Sequence, residues 1–367
     1  MNASGAQRLR VAGSPYEMGL AHGRALAASI RRYAEERLEL AGSPVWSGRA
    51  ATRAEVLDLA GACLEAHERL YPELAEELRG MSAGSGVSAA ELLVAGGFTD
   101  FVDAVAAASG STRPAAGDED DCTAVLVPAS RMADGAPAFA QTWDMHEGSA
   151  EHLVLLEGRP ADGPAFVVLT TAGCVGMIGM NEAGLTVGIN NLTAADGRVG
   201  VTWPFVVRAM LREETVEAAL AVLRAAPLCG GHNYLVMDAA GRGANAEAMP
   251  TALVVTEMDS APLAHTNHCL APETKAVERP RTPESQAETE GRLARAEELL
   301  GRESFHVEHL KSLLADRNGV CRVGVPPSHV GTCGAIVARP VTRELHAVAG
   351  RPGEAGFERF DLAVTAP

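Results

Sequence analysis

The sequence predicts an α+β fold in which two sheets are covered by helices, and three observations carry that expectation. Up to about residue 108, apolar positions recur at three- and four-residue spacing, as on one face of a helix. From Thr123 to Asn190 the pattern changes to short strand-like runs divided by turn signals. The remainder mixes helical stretches with further strands, an order that suits two layers of sheet with helices packed outside them.

In chain order, Pro15 to Leu38, Ala50 to Arg79 and Ser88 to Ala108 read as helices, with Pro or Ser near some of their starts, so the first part is mainly helical. Ser109 to Asp121 is rich in Gly, Pro and acid without apolar periodicity, and reads as a mobile linker. Strands are expected at Thr123 to Pro128, Pro137 to Trp143, His152 to Glu157, Ala165 to Thr171, Met177 to Met180 and Leu185 to Asn190. The turns between them carry Ala-Asp-Gly at 133–135 and Asn-Glu-Ala-Gly at 181–184, which predicts antiparallel pairing. A helix is expected from Trp203 to Ala226, then strands near Asn233 to Asp238 and Ala252 to Glu257. Helices at Pro283 to Leu300 and Ser304 to Asp316 precede closing strands at Gly334 to Ala338, Glu344 to Ala349 and Arg359 to Ala363. No internal repeat is evident.

The 367 residues are enough for one large domain or two modest ones, and the 47% apolar, 4% aromatic composition is globular with a core of Ala, Val and Leu. The charge is −16, with 31 basic against 47 acidic residues, and no basic cluster carries interleaved aromatics, which argues against nucleic acid as a partner. Lysine occurs only at Lys275 and Lys311. The apolar run Leu92 to Ala108 is interrupted by Asp100 and Asp103, and Met1 to Gly13 lacks the apolar stretch of a signal peptide. The expectation is a soluble, cytoplasmic protein with no membrane partner. Seven cysteines (63, 122, 174, 229, 269, 321 and 333) without a C-x-x-C pair suggest neither a disulfide framework nor a zinc ribbon.

Cys122 stands where the acidic linker meets the first strand. A small core residue is the ordinary role of a cysteine. Cleavage of the Asp121–Cys122 bond would instead give it a free α-amine beside its thiol. With reference pKa values of about 7.7–8.0 and about 8.5, the amine can accept the thiol's proton near neutral pH, so one residue supplies nucleophile and base.

Asp-Cys-Thr-Ala at 121–124, Gln-Thr-Trp-Asp at 141–144, Asn-Glu-Ala-Gly-Leu-Thr-Val-Gly-Ile-Asn-Asn at 181–191 and His-Thr-Asn-His at 265–268 occur in this order. Gly-Ser-Pro-Tyr-Glu-Met-Gly-Leu-Ala-His-Gly opens the chain at 13–23, and Leu-His-Ala-Val-Ala-Gly-Arg-Pro at 345–352, with Phe357 and Phe360, closes it. Together these runs resemble the cysteine N-terminal nucleophile hydrolases of the acyl-coenzyme A:6-aminopenicillanic acid acyltransferase type. The resemblance implies a four-layer αββα sandwich and a precursor that cuts itself before the cysteine. It would leave a helical 1–121 segment ending in the linker and a catalytic 122–367 segment, which stay associated. The family commonly has Gly before the cysteine where this chain has Asp121.

The resemblance also implies site residues. Cys122 would be the nucleophile, Asp144 would hold its terminal amine, and Asn267 would stabilise the oxyanion. Asn190 would present donors to substrate, and Arg292 or Arg295 would support the nucleophile through charge. Each has a plainer alternative: a solvated strand end for Asp144, turn residues for Asn190 and Asn267, and a solvated helix face paired with Glu288, Glu290, Glu297 or Glu298 for the arginines. Gln141 fits a variable neighbour of the acid, and Thr123 is a minor candidate. His265, His268 and Cys269 could alternatively bind a metal, although no fourth ligand has zinc-site spacing. His22 reads as packing, and the glycine-rich Gly-Ser-Gly at 84–86 and Cys-Gly-Gly-His at 229–232 as loops.

The reaction class expected is hydrolysis or transfer of an acyl group from a small amide or acyl-coenzyme A thioester, with coenzyme A a substrate and no resident cofactor. The competing reading, motivated by Asp121, is an uncleaved, non-catalytic protein that binds a small amide. Acyl donor, acceptor and association into a homo-oligomer stay open.

Overall fold

The computed structural model describes residues 7–108, 110, 122–326 and 329–362. The predicted linker lies outside these residues except for Gly110, as does Asp121. The first element is a strand, β1 (Gln7–Gly13), which no periodicity announced. It is followed by α1 (Pro15–Ala25), α2 (Ala27–Ala41), α3 (Pro44–Ser47), α4 (Arg53–Leu70), α5 (Pro72–Ser85), α6 (Ala89–Gly96) and α7 (Phe98–Ala108).

The long helices read from the sequence are each divided. Pro72 has no N–H and its ring collides with the preceding turn, so the predicted Ala50–Arg79 helix breaks at Tyr71 and restarts with Pro72 in the first turn. Gly96 and Gly97 break Ser88–Ala108, and Leu26 divides Pro15–Leu38. Several helix starts are fixed by reciprocal caps: Ser14 with Glu17, Thr52 with Glu55 and Ser88 with Glu91. Gly-Ser-Gly at 84–86 is not wholly a loop, because α5 continues through Ser85 and Gly86 takes the left-handed cap.

The second segment runs β2 (Ala124–Val127), β3 (Ala138–His146), β4 (Leu153–Pro160), β5 (Phe166–Thr171), β6 (Ile178–Asn181) and β7 (Thr186–Leu192). Then come α8 (Trp203–Met210), α9 (Val216–Ala225), β8 (Gly231–Met237), β9 (Gly243–Ala248), β10 (Leu253–Glu257) and β11 (Leu263–His265). It ends with α10 (Pro272–Lys275), α11 (Pro283–Leu299), α12 (Val307–Leu314), β12 (Val330–Arg339), β13 (Glu344–Ala349) and β14 (Glu358–Asp361). The single helix expected from Trp203 to Ala226 is two, because Thr215 and Asp238 accept from Ala218 N and Val216 N and so start α9 afresh. Strand β9, Gly-Ala-Asn-Ala-Glu-Ala, was not foreseen. Its residues are poor strand formers, and pairing on both sides overrides that preference.

Among the described residues the strands form two sheets, an eight-stranded one ordered β1-β4-β5-β6-β7-β8-β9-β10 and a six-stranded one ordered β11-β2-β3-β12-β13-β14. Every pairing is antiparallel except β1 with β4. Side chains alternate across each strand. Val125, Val127 and Ala140 therefore meet Leu310 and Leu314 of α12 on one face of the smaller sheet, while Leu126 and Phe139 join the core between the sheets. Helices α1, α8 and α9 pack on the larger sheet. The predicted αββα sandwich is the fold observed.

The first segment is bound into this sandwich. Beyond the β1–β4 pairing, Glu77 of α5 and Arg208 of α8 form a buried ion pair at 3.1 Å. Asp100 and Asp103, which the sequence offers only as breaks in an apolar run, accept from Trp203 N at 2.8 Å and Ala194 N at 3.0 Å. Helices α1 and α5 pack backbone to backbone, and a Cβ at Gly19 would overlap the Glu77 carbonyl. Gly19→Ala should therefore cost about 1–3 kcal/mol, as overpacking does. Gly61→Ala, on α4 with open space around it, should gain about 0.5–1 kcal/mol. Urea midpoints of the two variants check the contrast, and equal shifts would refute the close packing.

Candidate active site

Cys122 lies two residues before β2, in the layer between the sheets, and is fully buried. Its Sγ accepts from the backbone N–H of Asp144 on β3 at 3.4 Å. Its carbonyl oxygen accepts from two side chains, Asn190 Nδ2 on β7 and Arg292 Nη1 on α11, each at 3.1 Å. Arg292 also donates through Nη2 to Asn267 Oδ1 at 3.1 Å, and Asn267 Nδ2 donates to the Asn191 carbonyl at 3.1 Å. Cys122, Asn190, Asn267 and Arg292 thus form one connected hydrogen-bond network drawn from both sheets and a helix. Thr123 joins its edge, with its hydroxyl 3.5 Å from Arg292 Nη1.

Asp144 is neither solvated nor at a strand end. It sits inside β3, opposite Thr332, with its side chain fully buried. Neither carboxylate oxygen makes a hydrogen bond of ordinary geometry. Burial pushes its pKa up to about 7, against the opposing pull of the Arg292 guanidinium and of the hydroxyls of Thr332 and Thr142. Asn190 likewise lies within its strand and not in a turn.

The two arginines separate. Arg292 is buried against the cysteine, whereas Arg295, three residues on, turns away to Asp316 and Glu298. Gln141 does not meet Cys122. Its side chain clamps Ile189, accepting from Ile189 N at 3.0 Å and donating to Ile189 O, and so straps β3 to β7 across the sheet interface.

His265 engages Glu247 at 3.0 Å and the Thr266 carbonyl, while His268 lies 3.3 Å from Thr266 Oγ1 and 3.1 Å from Thr289 Oγ1. Burial lowers His268 to about 4 and raises Cys269. Among the described residues no group of three or more His, Cys, Asp or Glu is arranged to hold a metal ion. His22 is a packing residue whose Nε2 accepts from Gly173 N at 3.2 Å.

Residues that sequence reasoning missed come from a helix and two further strands. Thr289 holds Asn267 by accepting its backbone N–H at 2.9 Å. Asn233 Nδ2 donates to Asn190 Oδ1 at 3.2 Å and to Asn245 Oδ1 at 2.7 Å, extending the network across β8 and β9. No spacing in the sequence connects them. The one available signal was an asparagine recurring within apolar strands.

The family model of the acyl-coenzyme A:6-aminopenicillanic acid acyl-transferases matches residues 131–354, a span that holds Asp144, Asn190, Asn267 and Arg292 and begins after Cys122. The chain belongs to this family. A relative, the 40 kDa form of acyl-coenzyme A:6-aminopenicillanic-acid-acyltransferase of Emericella nidulans, is 24% identical over 260 residues, covering 70% of this chain and 68% of that protein. Among solved structures, a mutant conjugated bile acid hydrolase from Clostridium perfringens is 10% identical with a TM-score of 0.47, over 65% of this chain and 92% of that one. Penicillin V acylase from Agrobacterium tumefaciens is 14% identical with a TM-score of 0.33, over 67% and 85%. No helix among the described residues of this family member is long and apolar enough to cross a membrane.

The raised Asp144 pKa sets a pH dependence. The unfolded carboxyl titrates near ~3.9, so the native state prefers the proton. The unfavourable contribution of Asp144 is absent below the unfolded value and reaches its full size once pH passes about 7. In the uncleaved Cys122→Ala chain, at about 1.4 kcal/mol per unit, adding Asp144→Asn should stabilise the protein by about 2–3 kcal/mol more at pH 8 than at pH 5. Urea unfolding at the two pH values measures this, and an equal gain at both would contradict the shift.

Proposed function

We propose that the chain is a self-processing cysteine amidohydrolase or acyltransferase, acting on a small amide or acyl-coenzyme A thioester through an acyl group carried on Cys122. The observation that supports it most is a fully buried carboxylate that makes no hydrogen bond of ordinary geometry, on the residue whose own N–H donates to the Cys122 thiol. A buried carboxylate is costly unless a cation meets it. The α-ammonium that cleavage before Cys122 creates is such a cation, and the pairing would in turn pull Asp144 below about 7.

In the processing step the thiol attacks the Asp121 carbonyl, the carbon–nitrogen bond to Cys122 breaks, and the nitrogen takes the thiol proton. Water then opens the thioester. Two segments result, of 121 residues and the remaining 246, and the β1–β4 pairing with the Glu77–Arg208 ion pair favours their staying together.

In turnover the α-amine accepts the thiol proton, the thiolate adds to the substrate carbonyl, and the amine or thiol leaving group departs with that proton. Water or an acceptor amine resolves the acyl-enzyme. Asn267 supplies an amide donor for the oxyanion. Arg292 orders that amide from its oxygen side, and with Asn190 fixes the Cys122 carbonyl.

Intact mass of the purified protein tests processing. Wild type should give the two segments, and Cys122→Ala a single inactive chain. Asn267→Ala should lower kcat by about 10²–10³-fold, the usual loss for one oxyanion donor. A wild type that stays whole and inactive towards amides and thioesters would instead identify a binding protein, and turnover by Cys122→Ala would remove the nucleophile from the account.

A further inference from the structure

Cleavage before Cys122 would leave two segments joined by non-covalent contacts, and one pair of side chains in their interface can change that. Cys63 lies on α4 in the first segment, and Cys229 lies between α9 and β8 in the second, 166 residues further on. Their sulfurs are 4.0 Å from each other, and both side chains are fully buried. The thiols of Cys174, Cys321 and Cys333 meet backbone carbonyls instead, at 3.7, 3.9 and 3.4 Å.

Neighbouring residues hold the two cysteines opposite each other. His67, one turn beyond Cys63 on α4, accepts from Thr202 N at 2.9 Å through Nε2, so its Nδ1 donates to the Cys63 carbonyl at 2.7 Å. Next to Thr202, the Val201 carbonyl accepts from Cys229 N at 3.0 Å, and the Cys229 carbonyl accepts from Arg198 N at 2.9 Å. The far side of this loop rests on α7, because a Cβ at Gly230 would overlap Asp100. The stretch 198–202 therefore fixes the backbone of Cys229 directly and that of Cys63 through His67. A disulfide bond is about 2.05 Å long, so each sulfur has to move by about 1 Å, which a small rotation of each side chain supplies.

We infer that Cys63 and Cys229 form an oxidative modification site, at which a disulfide joins the first segment to the second. The oxidant is a peroxide as compact as hydrogen peroxide, since a larger disulfide reagent has no path to fully buried thiols. In the first step the Cys63 sulfur attacks the peroxide. An S–O bond forms, the O–O bond breaks, and the thiol proton leaves with the other oxygen as water. The Cys229 sulfur then displaces the hydroxyl from Cys63, which departs with the Cys229 proton as a second water. Two thiols lose two electrons, and one peroxide becomes two waters. Cys63 goes first because the hydrogen bond from Cys229 holds its thiol below the usual range, while that bond and burial raise Cys229.

The bond itself requires no cleavage before Cys122, so the inference goes beyond the functional reading. Only its consequence for the cut protein rests on that reading. An assembly of two chains, whose stability depends on concentration, would become one covalent unit.

The test uses the full-length protein as the uncleaved Cys122→Ala chain and as wild type. Each is treated with hydrogen peroxide, unfolded in an alkylating maleimide and digested without reductant. Cys122→Ala should yield two peptides joined through Cys63 and Cys229, lighter by two hydrogens than the separate thiol peptides, and adding Cys229→Ala should abolish the pair. Before digestion, wild type should give one joined species without reductant and the segments of 121 and 246 residues with it. Its urea midpoint should be independent of protein concentration when oxidised, and should rise with concentration when reduced.

Absence of the joined peptides from oxidised Cys122→Ala, or either cysteine bound to a different one, overturns the inference. The two readings fail separately. Wild type that stays one chain in reductant counts against self-processing, and the Cys122→Ala digest then still decides the bond. Two free segments without reductant overturn the inference and leave self-processing standing.

Discussion

Asp144 is the constraint around which the rest of the molecule is arranged. Its carboxyl is sealed between two sheets, and neither oxygen makes a hydrogen bond of ordinary geometry. A fold retains such a group only if the surrounding structure over-determines its position. Here the surroundings do so. β3 is paired on both sides, and Asp144 N–H is committed to the Cys122 thiol. The opposing guanidinium of Arg292 is itself fixed at both ends by the Cys122 carbonyl and Asn267.

The network around the cysteine depends on two sheets being held in register. Gln141 reaches across from β3 to clamp the Ile189 backbone, which sets the height of Asn190. Thr289 does the same for Asn267 from α11, the helix that also carries Arg292. Asp144, Asn190 and Arg292 are therefore carried on strands and a helix, elements that hold a side chain more closely than a loop does, while Cys122 and Asn267 lie within two residues of strand ends. The first segment, though remote in sequence, contributes a strand to the larger sheet and buried acids that cap backbone N–H groups of the second.

Much of this was legible in the sequence. Apolar periodicity located most strands and helices, and the ordered motifs led to Cys122, Asp144, Asn190, Asn267 and Arg292, four of which form one network with Asp144 beside it. What was lost has physical causes. Helix breaks at Tyr71–Pro72 and at Thr215 depend on a ring clash and on caps partly supplied from distant strands, which periodicity averages over. β1 and β9 are strands by virtue of their neighbours and not of their composition. Choosing Arg292 over Arg295 required the helix to be docked, because residues three apart differ by only about 60° around its axis, and packing decides which guanidinium meets Cys122 and which meets Asp316. Asn233, Asn245 and Thr289 become partners only through cross-strand pairing and packing, so no linear spacing could have connected them.

The central claim is that a single sulfur carries the acyl group, and the most direct measurement is to catch that group in place. Active protein mixed with a chromogenic amide, quenched in acid within the first turnover and digested should yield a peptide that begins at Cys122 and is heavier by one acyl group. An acyl group found on any of the other cysteines, or turnover with no acylated peptide at all, would contradict the account.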